Sequence, residues 1–214
     1  MAQLSRDDEA FGPLMTLEEA ATRVATLAAP VTGIETVALA QADGRVLARD
    51  IAAPLDLPPF ANSAVDGYAV RHGDLAPAGA SRLPVGGRVA AGADAAGVTV
   101  QGIAVRVFTG APMPQGADTV FMQEDVVLEG PVAVLPPGLA KGANARPAGE
   151  DIARGAPAAA AGQRLRPQDL ALLSALGLTD VAVRRRPRVA IFSTGDELTE
   201  PGQPLGPAAI YDAN

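Results

Sequence analysis

The sequence contains no cysteine and no tryptophan, and only 3% of its residues are aromatic. Without cysteine the chain has no disulfide, no thiolate metal site and no thiol nucleophile, which is consistent with a reducing cytoplasm. With so few aromatic side chains, the core must be built mainly from Ala, Val and Leu. Hydrophobic residues make up 48% of the 214 positions, so the composition is that of a globular protein with a sizeable core.

Histidine is almost absent as well, since His72 is the only one in the sequence. A zinc centre built on several histidines is therefore excluded, and no serine triad is evident. We predict that His72 is an exposed loop residue.

Positive charge is also in short supply: 17 Lys and Arg residues face 24 Asp and Glu residues, for a net charge of -7. Attraction to phosphates dominates general nucleic-acid affinity, so no nucleic-acid partner is expected, although a local cluster of donors can still bind a small anion. The acidic first residues predict no signal peptide. No apolar run is long enough to cross a bilayer, so the expected location is the cytoplasm and no membrane partner is predicted.

The first element that the pattern predicts is an amphipathic helix over about residues 17–29. Thr16 and Glu19 have capping-box spacing, apolar residues follow at helical intervals, and Pro30 ends the run. ETVAL then predicts a short strand. After a turn at Asp43 and Gly44, the segment RVLARDIAAP is ambiguous and favours one or two helical turns.

The residue composition changes in the middle of the chain. From Pro54 to about Asn144, Gly and Pro recur every few residues between short β-like runs such as VTVQGIAVRVF, TVFMQ and PVAVL, which predicts a β-rich module with tight turns. LRPQDLALLSALGL then predicts a helix, with Pro167 in its first turn and Gly177 at its stop, and TDVAVRRR predicts a strand. A β-rich block between two helix-and-strand blocks indicates an inserted domain.

The last module begins with the continuous apolar run at residues 189–192, which predicts a buried parallel strand. Ser193, Thr194 and Gly195 follow as a turn at its carboxyl end, where ligands bind in doubly wound α/β folds. Such a sheet needs partner strands with crossover helices, and the sequence stops at Asn214. We therefore expect residues 185–214 to be the incomplete start of an α/β domain.

Acidic residues adjoin turn-forming residues at three places: Asp66, the pair Glu150 and Asp151, and the pair Asp196 and Glu197. Carboxylates beside glycine-rich backbone are the ligands that a hard divalent cation prefers. Each acidic group can equally be a turn residue or a helix cap, and for any one of them alone we favour that structural role. The loop TGAPMPQGADTV can present N–H groups to an anion, but its composition favours a rigid hairpin connection.

Four motifs occur in a fixed order: PPFANSAVDGYAV, TGAPMPQGADTV, GEDI, and FSTGDEL followed by PGQPLGPAAIYDAN. In order and approximate spacing they resemble the MoeA family, the molybdopterin molybdenumtransferases, to which the E domain of gephyrin is related. The likeness covers nearly the whole chain from the first helix onward. It implies a transferase of molybdenum cofactor biosynthesis that uses Mg²⁺ to insert molybdate into adenylylated molybdopterin, with release of AMP.

The resemblance also implies a multidomain fold that mixes α/β and β architecture in an elongated homodimer. A split α/β domain, residues 1–53 and 152–184, would make dimer contacts and would carry an inserted β-rich domain, residues 54–151. Residues 185–214 would begin a doubly wound α/β domain of the MoaB and MogA kind, and a β-domain would follow it. The chain is expected to be a fragment, about the N-terminal half, which lacks most of the pterin and molybdate pocket.

By the same resemblance, the site lies in a cleft between the third domain of one subunit and the inserted domain of the other. Tyr68 and Val70 would pack inward and hold the first motif, and Arg71, Lys141 and Arg146 are candidates for receiving the oxyanion. The implied roles are catalytic for Asp66, Asp151 and Glu197, substrate-binding for Asn62, Ser63, Thr109, Ser193, Thr194 and Gly195, and metal-binding for Asp196 and Glu197.

Two other functions compete with the enzyme. One is a non-catalytic dimerising or scaffold module that interacts with other proteins of cofactor biosynthesis. The other is a generic acidic α/β domain that binds a nucleotide or metal through STGDEL, which the four ordered motifs argue against. The sequence departs from the family pattern at Val65, Ala61, Pro147 and Ala148, and the last two stand where arginines often precede GED, which predicts a weakened or displaced anion site.

Overall fold

The computed structural model describes residues 15–213 and divides the chain into two compact units. One unit comprises residues 36–183. Of the described residues, the other unit comprises 15–35 and 184–213. The domain boundaries expected at 53/54, 151/152 and 184/185 stay a prediction.

Both helices and strands occur among the described residues, so the fold is a mixed α/β one. The helices are α1 (Leu17–Leu27) and α2 (Pro167–Ala175). The strands are β1 (Ile34–Ala38), β2 (Ile51–Ala52), β3 (Asn62–Ser63), β4 (Gly67–Val70), β5 (Ser81–Val89), β6 (Ala104–Val107), β7 (Thr119–Met122), β8 (Val127–Glu129), β9 (Val132–Leu135), β10 (Ala145–Arg146), β11 (Pro157–Ala159), β12 (Asp180–Arg184), β13 (Leu198–Thr199) and β14 (Ile210–Tyr211).

Helix α1 starts at the predicted capping box. The Thr16 backbone N–H donates to Glu19 Oε2 at 2.7 Å, and the Glu19 N–H donates to Thr16 Oγ1 at 3.2 Å. These two bonds satisfy N–H groups that a helix start leaves without partners. The helix ends two residues before the predicted position, and its apolar side chains are exposed, with Leu17 at 82% and Val24 at 66%.

A six-stranded sheet forms the centre of the larger unit, in the order β7-β4-β6-β5-β9-β8. Strand β4 pairs antiparallel with both β6 and β7, whereas β5 pairs parallel with β6. Because side chains alternate along a strand, Tyr68 and Val70 join one core cluster and Ala69 joins another. Tyr68 and Val70 are buried as predicted, and their burial fixes the strand that follows Asp66.

A separate core combines two distant parts of the chain, residues 39–51 and 158–183. Leu47, Leu165, Leu173 and Val183 are almost fully buried within it. The helical turns expected in RVLARDIAAP are wrong, because Leu47 forms a β-bridge with Val183 and β2 pairs with β11. The extended segment exchanges backbone hydrogen bonds with the returning chain, which a helix in the same place would not allow.

The strand expected at residues 189–192 is also wrong. These residues form no strand, and Val189, Ile191 and Phe192 are 76%, 78% and 84% exposed. A parallel strand needs hydrogen-bonding neighbours, and no described residue pairs with this segment. The parallel pair found in this unit is instead β13 with β14.

Neither of the two helices in residues 15–213 is long and apolar enough to span a membrane. The longer of them, α1, has eleven residues, and a bilayer crossing takes about twenty.

The Asp118 side chain joins the segment that follows β4 to the start of β7 and to Lys141. Its Oδ1 accepts the His72 backbone N–H at 2.7 Å and the Thr119 hydroxyl at 3.0 Å, and its Oδ2 lies 3.5 Å from Lys141 Nζ. His72 is therefore not an exposed loop residue as predicted. It is half-buried in a short helical turn (His72–Asp74), and its Nε2 lies 3.0 Å from the Leu139 carbonyl oxygen.

We expect Asp118→Ala to lower the free energy of unfolding by about 1–2 kcal/mol, because the His72 N–H loses its acceptor. Burial alone would raise the pKa of Asp118, but the bonds from His72 and Thr119 and the charge of Lys141 outweigh it and lower the pKa. The stabilisation is therefore complete above about pH 4 and is lost as the pH falls through the lowered pKa. Urea unfolding between neutral and acid pH measures it.

The matched control is Asp125→Ala, since Asp125 is exposed on the same module and its loss should change stability by less than about 0.5 kcal/mol. If Asp118→Ala and the control unfold at the same urea concentration, Asp118 does not hold the turn at His72.

Candidate functional site

Asp66 occupies the tight turn between β3 and β4, and Thr109 holds its carboxylate. The Thr109 backbone N–H donates to Asp66 Oδ1 at 2.8 Å, and the Thr109 hydroxyl donates to the same oxygen at 2.7 Å. The Gln123 N–H donates to the Asp66 carbonyl oxygen at 3.0 Å, next to the paired residues Gly67 of β4 and Met122 of β7. Two of the predicted site residues, 43 positions apart, are thus in direct contact.

The loop that carries Thr109 is not the hairpin that its composition favoured. Strands β6 and β7 lie on opposite sides of β4, so the loop between them crosses the end of that strand. It pairs with the first motif on its way: the Gly110 N–H donates to the Ser63 carbonyl oxygen at 2.8 Å, and the Met113 N–H donates to the Ala61 carbonyl oxygen at 3.0 Å. This crossing places Thr109 beside Asp66.

The bonds from Thr109 lower the pKa of the Asp66 carboxyl, the backbone N–H more than the hydroxyl. Desolvation opposes them, and the charge of Arg106 makes the smallest contribution to lowering the pKa. A group whose folded-state pKa is lowered stabilises the fold above its unfolded pKa of about 4, and that contribution disappears as the pH falls through the folded value. Asp66 is therefore an anion throughout the physiological pH range.

We expect Thr109→Val to raise the pKa of Asp66, because valine removes the hydroxyl donor and keeps the backbone one. The pH at which the carboxylate protonates should move toward the ordinary aspartate value, measured by NMR titration of the Asp66 carboxyl. Thr99→Val is the control, since Thr99 is exposed on the same module. An unchanged Asp66 titration in Thr109→Val would show that the hydroxyl bond does not form in solution.

A surface depression of about 340 Å³ adjoins Asp66 and Thr109. Its other walls are Ala64, Val65, Met122, Gln123 and Glu124. Among the described residues, both bonds to the Asp66 carboxylate go to Oδ1, so Oδ2 remains available to a ligand. The depression is therefore a place where a small molecule can meet an oriented carboxylate.

Asp151 belongs to a different hydrogen-bond network. Its Oδ1 accepts from Arg146 Nη2 at 2.6 Å, and Arg146 Nε also pairs with Glu150. The Glu150 and Asp151 carboxylates raise the pKa of the Arg146 guanidinium. Arg146 lies on β10 opposite Asn62 of β3, so the GEDI motif is joined to the first motif through Arg146 rather than through Asp66.

Asn62 and Ser63 are both buried, with 8% and 1% of their surface exposed. The Ser63 hydroxyl donates to the Val65 carbonyl oxygen at 2.6 Å and also accepts the Val65 N–H at 3.3 Å. These bonds give Ser63 a role in shaping the turn before Asp66. Direct contact of either residue with substrate stays a prediction.

The remaining predicted site residues lie in the other unit. Asp196 and Glu197 are exposed, Ser193 is half-buried, and the Leu198 N–H donates to the Gly195 carbonyl oxygen at 3.1 Å. The Glu197 carboxylate folds back over Gly195, where an added Cβ would lie 2.5 Å from Oε2. No group of three or more His, Cys, Asp or Glu side chains that could hold a metal ion occurs in residues 15–213.

Two of the cations expected to receive an oxyanion are already paired. Lys141 lies 3.5 Å from Asp118, and Arg146 pairs with Glu150 and Asp151. Sequence reasoning overlooked Arg106, whose charge acts on Asp66. The signal was present in the alternation of Val105, Arg106 and Val107, which puts the arginine on the opposite face of the strand from the two valines.

Comparison with known proteins places this geometry in a family context. A sequence profile described as "MoeA N-terminal region (domain I and II)" matches residues 15–177. The molybdopterin molybdenumtransferase of Haemophilus influenzae is 39% identical over 202 residues, which is 94% of this chain and 50% of that protein. Molybdopterin molybdenumtransferase 2 of Mycobacterium tuberculosis is 43% identical over 186 residues, 84% of this chain and 45% of that protein.

Solved structures agree with the sequence comparison. Two crystal structures of the molybdopterin biosynthesis MoeA protein from Pyrococcus horikoshii superpose with TM-scores of 0.74 and 0.75, at 38% and 42% identity. The superposed regions make up 91% and 81% of this chain, but only 50% and 47% of the two Pyrococcus chains. The chain therefore spans about half the length of the relatives that it matches.

Proposed function

Because the chain belongs to the MoeA family through its N-terminal region, we propose that the complete gene product inserts molybdate into adenylylated molybdopterin and releases AMP. The observation that carries the proposal is the Asp66–Thr109 contact at the edge of an open depression, formed by two of the four motifs that define the resemblance. The relatives named above are molybdopterin molybdenumtransferases, and their name supports the same reaction class.

Cleavage of a phosphoanhydride depends on positioning and on neutralising charge more than on a covalent nucleophile. In the proposal, Asp66 is the anionic catalytic group, because Thr109 fixes its orientation and keeps it ionised. Asp151 and Glu197 are proposed as further catalytic groups. Asn62 and the turn at residues 193–195 are proposed to contact substrate, and the protein is proposed to act as a homodimer.

Magnesium is part of the proposal. Mg²⁺ in phosphoryl-transfer sites usually takes one or two carboxylates and completes its shell with water and substrate phosphates. The exposed neighbours Asp196 and Glu197 supply oxygen donors of that kind. When bound there, the ion would supply charge neutralisation at the anhydride, and the described residues alone provide no third acidic ligand.

The direct test is AMP release by the purified complete gene product from adenylylated molybdopterin. We expect release to depend on both molybdate and Mg²⁺, and to stop when either is left out or when the metal is chelated. A folded gene product that releases no AMP under these conditions would overturn the proposal. If that inactive protein still binds other enzymes of cofactor biosynthesis, the scaffold function replaces the catalytic one.

A further inference from the structure

Two arginines on neighbouring strands of the central sheet share one aromatic ring. Arg88 on β5 and Arg106 on β6 are direct partners in the register of the two parallel strands. Their guanidinium carbons lie 4.7 Å and 5.0 Å from the centre of the Phe108 ring. Both guanidinium groups therefore contact the same aromatic side chain.

Such a pair is unfavourable unless something neutralises it, because like charges at partner positions on neighbouring strands repel each other. Some surface arginines of this unit have carboxylate partners, for example Arg82 with Glu129 at 2.5 Å, whereas Arg71 and Arg164 have none within ion-pair distance among the described residues. Within residues 15–213, neither Arg88 nor Arg106 has a carboxylate within ion-pair distance. The contacts with Phe108 offset part of the repulsion, and the Asp66 carboxylate acts on Arg106 from beyond ion-pair distance.

The geometry also prepares these side chains for a ligand. Arg106 stacks on Tyr68 as well, at 5.1 Å from the ring centre, and its Nη2 donates to Gln123 Oε1. Stacking uses the flat face of a guanidinium and leaves its edge N–H groups free to donate, which suits two-pronged binding of phosphate-like oxygens. Arg88 is exposed, and its guanidinium donates to no described residue.

Gln123 connects this pair to the depression beside Asp66, because it lines that depression and also accepts from Arg106. We propose that Arg88 and Arg106 form a binding site for a tetrahedral oxyanion at the border of the Asp66–Thr109 depression. The anion would neutralise both guanidinium groups and would accept hydrogen bonds from their edge donors.

The identity of the oxyanion rests on the proposed function. That reaction offers two sources of the same chemistry, a phosphate group of adenylylated molybdopterin and molybdate itself. Molybdate is a tetrahedral dianion, each phosphate of the anhydride is tetrahedral with one negative charge, and both offer oxygens that match guanidinium edges. A nucleic-acid backbone is disfavoured because the chain as a whole is acidic, with a net charge of -7.

The first experiment needs no enzymatic activity. The 214-residue chain is titrated with sodium pyrophosphate and, separately, with sodium molybdate at constant ionic strength, and the arginine Nε–H signals are followed by NMR. We expect saturable shifts of two arginine signals in the unsubstituted chain, and in Arg88→Gln the remaining Arg106 signal should report weaker binding. Arg88→Gln should weaken the affinity about tenfold, the loss of roughly one charged hydrogen bond, while Arg82→Gln on the same strand leaves it unchanged.

The second experiment separates the two sources in the complete gene product. Arg88→Gln is expected to raise KM about tenfold for the source that the site holds, either adenylylated molybdopterin or molybdate, with kcat nearly unchanged. Arg88 is exposed, so this variant should fold even if Arg106→Gln does not. Saturable binding without transferase activity would overturn the proposed function and keep the oxyanion site. The oxyanion site would be overturned if the complete gene product is active but the NMR titration shows no saturable shift and Arg88→Gln leaves both KM values unchanged. It would also be overturned if Arg82→Gln weakened the affinity as much as Arg88→Gln.

Discussion

Gly67→Ala is expected to lower the free energy of unfolding by about 3 kcal/mol or more, the upper part of the range for overpacking. An added Cβ would lie 1.8 Å from the Phe121 carbonyl oxygen and 2.9 Å from the carbonyl carbon. The obstructing atoms are backbone, and Phe121 is itself buried and paired with Tyr68 across β4 and β7. Relief of the overlap would therefore require separation of two central strands.

Thermal and urea unfolding of the 214-residue chain measure this effect, and the midpoint should fall by roughly 6–12 °C. Gly73→Ala is the matched control, because the nearest atom to its added Cβ would be Arg71 Nε at an ordinary 3.8 Å. Gly86→Ala should give an intermediate loss, since its added Cβ would meet the movable end of the Ile103 side chain at 2.5 Å. If Gly67→Ala and Gly73→Ala have the same unfolding midpoint, the backbones of β4 and β7 do not lie as close together at Gly67 as the structure shows.

Asp66→Asn is expected to reduce AMP release by the complete gene product at least about hundredfold, the usual scale for loss of one charged catalytic group. The amide oxygen of asparagine can still accept from the Thr109 N–H and hydroxyl, so the turn should keep its shape. What the substitution removes is the negative charge that those two bonds hold in place. The measurement is the initial rate of molybdate-dependent AMP release with the unfolding midpoint recorded for the same sample.

Two comparisons make this result specific to the site. Asp125→Ala, on an exposed residue of the same unit, should retain full activity. Asp66→Ala should lose activity as Asp66→Asn does and should also lose some stability, because the Thr109 donors then have no acceptor. An Asp66→Asn enzyme with more than about a third of the original rate would show that the Asp66 charge is not needed in catalysis.

Local sequence patterns correctly predicted the secondary-structure elements that depend on interactions between residues close in sequence. The capping box at Thr16 and Glu19, the helix ended by Gly177 and the strand PVAVL are all present. In each case the deciding interactions are within a few residues: side-chain capping, a left-handed glycine at +83°, and alternation along a strand. The same reasoning failed at RVLARDIAAP, where the partners of the backbone groups come from residues more than a hundred positions later.

The candidate site shows the same division. The sequence singled out Asp66 and Thr109 through the motifs that contain them, but it favoured a hairpin for the second loop. The composition of that loop does not indicate that β4 lies between β6 and β7 in the sheet. The insertion carries Thr109 over the end of β4 and gives Asp66 its two donors.

The amino-acid sequence by itself determined the family, the absence of thiol and histidine-cluster chemistry, and the turns and caps that local hydrogen bonds dictate. Only the tertiary structure decided which charged groups meet: Arg146 and Lys141 have carboxylate partners, whereas Arg88 and Arg106 contact one aromatic ring. The reason is physical. The energy of a charge depends on its distance to every neighbour, and strand order, which no short motif encodes, sets those distances.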